Sequence, residues 1–233
     1  MKASTILTRL KGLANAKDAE GLQWYFKTGP GQYGEGDVFI GIRIPAIRHL
    51  VKEFRDAEER ALLTLLASPI HEARVLALFI LVRQFEAGTL EVQSRIHRLY
   101  LAHTDRINNW DLVDLSAPTI VGGYLLNRSR RPLVRLAKSK CLWERRIAIL
   151  ATFAFIRRNQ FADSLAIADR LLHDPHDLIH KAVGWMLREV GKRDQAVLES
   201  FLKPRCGTMP RTMLRYAIER FPEAKRQSYL RND

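Results

Sequence analysis

The sequence predicts an all-α protein, an α-solenoid in which helices pair and the pairs stack. Three observations carry that expectation. Apolar residues recur at three- and four-residue spacing almost throughout. No stretch alternates apolar and polar residues as a half-buried strand would. Four helix-opening positions, Arg74, Trp110, Arg146 and Lys181, lie 36, 36 and 35 residues apart. A period of that length with paired helices marks a stacked helical array.

The elements follow in order. The stretch TGPGQYGEGDVFIGIRIP (28–45) holds five glycines and two prolines, so it is a loop. IRHLVKEFRD (47–56), HEARVLALFILVRQF (71–85) and IHKAVGWMLREV (179–190) are amphipathic or inner helices. Breakers fall between such segments: Ser68-Pro69, Gly88-Thr89, Asp174-Pro175, Lys203-Pro204 and Phe221-Pro222. Ser68 and Asp174 read as caps with proline at the first helical position. The four marks open RVLALFIL, WDLVDLSA, RIAILATF and KAVGWMLR, a pattern of the HEAT or TPR general type. Residues at one repeat phase are expected to project toward one surface. Three of the four marks are cations, so a single domain over 1–233 with a concave basic groove is expected.

Composition narrows the function. The 233 residues include 38 Lys and Arg against 25 Asp and Glu, a net charge of +13. Apolar residues at 47% and charged residues at 27% exclude a disordered or collagen-like chain. The basic excess favours polyanionic partners, nucleic acid first and an acidic membrane surface second. Cys141 and Cys206, 65 positions apart, form no CxxC or CxxH spacing, which excludes a zinc knuckle or disulfide scaffold. The seven histidines contain no HExxH pair, so neither metal nor other cofactor is expected. The N-terminus lacks an apolar core of signal-peptide length, and no apolar run of about 18 residues occurs. A reduced, cytoplasmic setting without a membrane span is expected.

Chemistry concentrates in three helices. In HKAVGWMLREVGK (180–192), Ala182, Val183, Met186, Leu187 and Val190 form an apolar arc. Lys181, Trp185, Arg188 and Lys192 fall on the opposite side. An aromatic flanked by cations suits phosphate contact and stacking, although Arg188 could simply make a cation–π contact with Trp185. In RINNWDLVDLSAP (106–118), Trp110 and Asp114 are one turn apart on one face. Asp111 reads as a carboxylate complementing the helix dipole. Asp114 is a carboxylate among Leu112, Val113, Leu115 and Ala117, and Pro118 cannot bond its carbonyl, so a kink is expected there. In LWERRIAILATFAFIRR (142–158), Arg146 shares a line with Leu150, Phe153 and Arg157. An Arg on an inner helix is either a structural bridge or an anion ligand.

IGIRIPAIR (40–48), NNWDLVD (108–114), WERRIAIL (143–150) and HKAVGWMLRE (180–189) together resemble the AlkD-type DNA alkylation-repair glycosylases, a family of HEAT-like solenoids. The resemblance spans roughly residues 20–195 and implies a role for each matching residue. Asp114 matches the catalytic carboxylate. Trp110, Trp185 and, in LQWYFK, Tyr25 match the aromatics, and Arg146 and Arg188 match basic residues of the site. Asn109 stands where some members carry an aromatic. Lys181, Lys192 and Arg157 extend the basic surface.

The implied activity is metal-independent hydrolysis of N-glycosyl bonds, excising cationic N3- or N7-alkylpurines. The partner is duplex DNA containing alkylated bases, with no obligate protein partner. Two other functions fit parts of the pattern: a non-catalytic binder of damaged or branched DNA, and a protein-binding helical scaffold. If Lys181, Arg188, Lys192 and Arg146 each neutralise one phosphate, the log–log salt slope of binding is roughly −3.6.

Overall fold

Helix boundaries in this computed structural model, which describes residues 2–231, follow local chemistry. The chain divides into two compact units, Met1–Ser116 and Ala117–Asp233. The first holds α1 (Ala3–Lys11), α2 (Ala16–Tyr25), α3 (Ile44–Glu53), α4 (Glu59–Leu66), α5 (His71–Ala87), α6 (Leu90–Ala102) and nearly all of α7 (Trp110–Ala117). Asn15 caps α2 by accepting the Asp18 N–H at 3.2 Å, and Thr89 caps α6 by accepting from Val92. Helix α5 is apolar nearly all round and supplies the centre of this unit, with Val75, Leu76, Leu78 and Ile80 buried. α3, α4 and α6 pack against it.

The second unit opens with a π-helical turn, Pro118–Gly123. It continues through α8 (Arg131–Ala137), α9 (Leu142–Ala151), α10 (Phe153–Ile156), α11 (Ala162–Arg170), α12 (Asp177–Gly191), α13 (Gln195–Leu202), α14 (Arg211–Ala217) and α15 (Glu223–Arg231). Helices α9 and α12 form its centre, and α12 lies closest to α14. Gly184 makes that approach possible: a Cβ there would stand 2.5 Å from the Tyr216 Cβ and 2.6 Å from the Met213 carbonyl. The glycine of the GW pair is therefore a packing residue.

The predicted all-α class is borne out. Among the described residues there is no strand, only an isolated parallel bridge between Val38 and Ile70. No helix among them is long and apolar enough to cross a membrane. At Pro118, where a kink is expected, α geometry gives way to π geometry, and proline supplies no N–H to the Asp114 carbonyl.

Two expectations need correction. Ser68 and Asp174 do not cap helices with proline next in line. Their side chains accept the N–H two residues on, from Ile70 at 3.1 Å and His176 at 2.9 Å. They close tight turns, and the helices begin at His71 and Asp177. Of the four repeat marks, Trp110 and Arg74 lie in the opening turns of their helices, Arg146 and Lys181 are the fifth residues of theirs, and not all are displayed. Arg74 is 6% exposed and Arg146 5%, each committed inside its own unit.

Candidate active site

The first unit builds its site on the opening turn of α7. Asn109 is buried with no exposed surface, and its Oδ1 accepts the Trp110 N–H at 2.8 Å. A polar residue before Trp110 thus turns inward and orients the helix start. Trp110 is half-buried and stacks on Phe26, with centroids 5.0 Å apart and planes 9° from parallel. Tyr25, the aromatic of the loosest sequence match, meets Trp110 edge to face at 5.9 Å and is 55% exposed. Asp114 lies one turn further along α7, half-buried. The Tyr100 phenol is pushed above its usual range, first by burial and also by the charge of Asp114. That phenol instead hydrogen-bonds the Ser116 hydroxyl at 2.9 Å.

Beneath Trp110 lies a polar cluster that the sequence did not reveal. The rings continue from Phe26 to Phe39 at 4.8 Å and from Phe39 to His71 at 4.3 Å. His71 Nδ1 is 2.9 Å from Asp37 and its Nε2 is 2.8 Å from Asp111. Asp111 therefore does more than complement the helix dipole. Arg74 reaches the other Asp37 oxygen at 2.6 Å. Burial pushes the Asp37 carboxyl up, but its bonds to His71 and Arg74 outweigh this and hold it below the usual carboxylate range.

The glycine-rich loop is fastened to the same helix. The buried Glu72 carboxylate accepts the N–H groups of Ile40, Gly41 and Ile42 at 2.8–3.2 Å. Gly41 has φ +82°, and a Cβ there would lie 1.9 Å from the Asn15 carbonyl oxygen, so only glycine fits. A cavity of about 500 Å³ opens beside the stack, lined by Leu22, Phe26, Phe39, Ile42, His71 and Asp111 among others. At its edge Arg43 and Asp18 pair at 2.8 Å.

The second unit carries the other expected residues. Trp185 is half-buried on α12, with Phe153 at 6.1 Å. Arg157, exposed, lies over Phe153 at 4.2 Å, so Phe153 joins Arg157 to Trp185. Trp185 donates its indole N–H to Glu189 at 3.2 Å. Among the described residues no cation–π contact joins Arg188 to Trp185, the alternative left open in the sequence, whereas carboxylates engage the whole cationic row. Lys181 pairs with Asp177 at 2.7 Å, Lys192 with Glu189 at 2.6 Å, and Arg188 with Glu219 and Glu189. Arg146 donates to the Leu178 carbonyl at 2.6 Å and so pins the first turn of α12. Its neighbour Arg145 pairs with Asp174 at 2.5 Å.

Phe26, Phe39, His71, Asp37 and Glu189 escaped the sequence reading, which had placed Phe153 only on the line of Arg146 and Arg157. Glu189 alone left a signal there. It falls one turn after Trp185, beside the cations, inside the quoted motif.

The sequence profile of a family described as DNA alkylation repair enzyme matches residues 6–221. A solved structure of a predicted DNA alkylation repair enzyme from Enterococcus faecalis superposes with a TM-score of 0.71 at 17% identity. That likeness covers 90% of this chain and 97% of the other, and at such identity it is a likeness of fold. No curated protein matches the chain. A profile match running across both units, on an all-helical chain of this fold, means that the protein belongs to the DNA alkylation repair enzyme family.

Proposed function

We propose that this protein is a DNA glycosylase that excises cationic alkylpurines from duplex DNA by hydrolysing the N-glycosidic bond. The observation that supports this most is the opening of α7. A half-buried carboxylate, Asp114, stands one turn from a tryptophan braced by Phe26 and Tyr25. An N3- or N7-alkylated purine already carries positive charge and leaves readily, and its departure builds oxocarbenium character on the deoxyribose. A carboxylate about 4 Å from that charge, at an effective dielectric of about 20, contributes roughly 4 kcal/mol. That corresponds to about a thousandfold in rate. In the first unit Trp110, with Tyr25 beside it, offers a π-face to the cationic nucleoside, and in the second unit Trp185 offers an aromatic face to DNA.

In this function Lys181, Arg188, Lys192 and Arg157 contact phosphate, and Arg146 holds the helix that carries Lys181 and Arg188 and is capped by Lys192. The chemistry calls on no metal or other cofactor. Base release from methylated duplex DNA is the test. Asp114→Asn is expected to abolish release while leaving binding to plain duplex unchanged or slightly tighter, since removing a negative charge cannot weaken attraction to phosphate. Equal turnover in variant and wild type would assign Asp114 to structure. Lesion binding without release by the wild type would favour the non-catalytic reading.

A further inference from the structure

We propose that His71 is a positioning residue that works as a buried imidazolium, joining the first turn of α7 to α5 and the glycine-rich loop and so setting Trp110 and Asp114. The inference rests on the function proposed for those two residues.

The geometry leaves the ring little choice. Carboxylate oxygens face both nitrogens, Asp37 at 2.9 Å and Asp111 at 2.8 Å. An ionised carboxylate only accepts, so each ring nitrogen has an acceptor to donate to, and a ring that donates from both is cationic. The side chain is 2% exposed, which removes water as an alternative partner. Other charges around it are accounted for. Arg74, also on α5, brings one guanidinium nitrogen, which carries two protons, to 2.6 Å from Asp37 and to 3.3 Å from Nδ1, the contact to Nδ1 being the longer. Glu72, next to His71, faces the loop amides of residues 40–42. Beside Asp37 the neutral amides of Asn108 and Asn109 also stand, at 3.4 Å. The cluster therefore balances His71 and Arg74 against Asp37 and Asp111. Burial pushes the His71 pKa down, but its bonds to Asp111 and Asp37 outweigh this and raise it.

The link to the site is double. Asp111 directly follows Trp110, and its second oxygen accepts the Leu112 N–H at 2.8 Å, so one carboxylate ties the imidazolium to α7. The ring also ends the stack that runs through Phe39 and Phe26 to Trp110. Loss of one proton leaves a nitrogen lone pair facing a carboxylate in a dry setting, and one side of the joint opens.

Two measurements on the full-length chain test this. Long-range ¹H–¹⁵N spectra of the DNA-free protein, assigned with His71→Gln, should show His71 doubly protonated at pH 7. The Trp110 indole N–H, assigned with Trp110→Phe, should titrate together with it. A neutral His71 tautomer at pH 7, or an indole indifferent to its titration, would overturn the proposal whether or not the protein releases bases.

Single-turnover release from N7-methylguanine duplex then compares wild type with Asp111→Asn, which keeps the shape and removes one counter-charge. The ratio of variant to wild-type rate should fall about tenfold between pH 6 and pH 9, because the alkaline limb moves to lower pH. Asp37→Asn should move it the same way, and serves if the first variant melts early. A reduction by one constant factor at every pH would make His71 purely structural. Absence of release in the wild type would sink the proposed function and leave the spectra to decide on His71.

Discussion

Four tryptophans occupy four environments, and that difference decides what each can do. Trp143 is 8% exposed and belongs to the core, while Trp24 is 74% exposed. Trp110 and Trp185 lie between, each with part of the ring available. Trp143→Ala should therefore cost about 3–5 kcal/mol of stability and lower every activity together. Trp185→Ala should leave the melting temperature closer to wild type and cost about 1–2 kcal/mol of preference for the lesion over plain duplex. Thermal melts run beside excision assays separate the two. A destabilised Trp185→Ala with unchanged lesion preference would place its role in packing. Gly41 makes an equally sharp residue-level case. Gly41→Ala meets both a left-handed φ and the Asn15 carbonyl, and should lower stability by at least about 2 kcal/mol in chemical denaturation.

Helix α12 shows how an element can look more basic in sequence than it behaves in space. Its periodicity correctly separates an apolar arc from Lys181, Trp185, Arg188 and Lys192, and Ala182, Val183, Met186, Leu187 and Val190 are all buried. Yet Asp177, Glu189 and Glu219 engage each cation of the row. A phosphate must compete with these carboxylates, and Arg146 is already bonded to a backbone carbonyl. The salt slope of duplex binding by these residues should therefore be shallower than the roughly −3.6 that four free cations would give. Glu219→Gln releases Arg188 from its exposed partner. It should tighten binding to plain duplex and steepen the log–log slope by about 0.9, read by titrations at several salt concentrations. An unchanged slope would mean that Arg188 does not reach phosphate.

For the molecule as a whole, the +13 charge favours attraction to polyanions, but buried pairs govern how stability depends on pH. The His71 pKa is raised above its ordinary 6.5 in the fold. Its contribution is complete below 6.5 and is lost as pH rises through the folded value. Asp37 is held below its ordinary 3.8, so its contribution is present above 3.8 and lost as pH falls through the folded value. Melting temperature against pH should form a dome. His71→Gln should lower its top and flatten its alkaline side, and an alkaline limb identical to wild type would remove His71 from the account.

Helices, loop and basic character were legible in the sequence because each is a local property. A 3.6-residue period, five glycines in one stretch or a glycine before a tryptophan can be read without knowing what lies opposite. The NNWDLVD and KAVGW stretches likewise marked Trp110, Asp114 and Trp185, all of which prove partly accessible. Partners are not local. His71 meets Asp37 across 34 positions and Asp111 across 40, and Arg188 meets Glu219 across 31. Nothing in the neighbourhood of any of these residues encodes the other. Only the packing of α5 against the loop and α7, and of α12 against α14, decided which charges are balanced and which aromatic faces stay open. The reason is physical: a buried charge must find its counter-charge wherever the fold brings one within about 3 Å, and sequence distance does not enter that requirement.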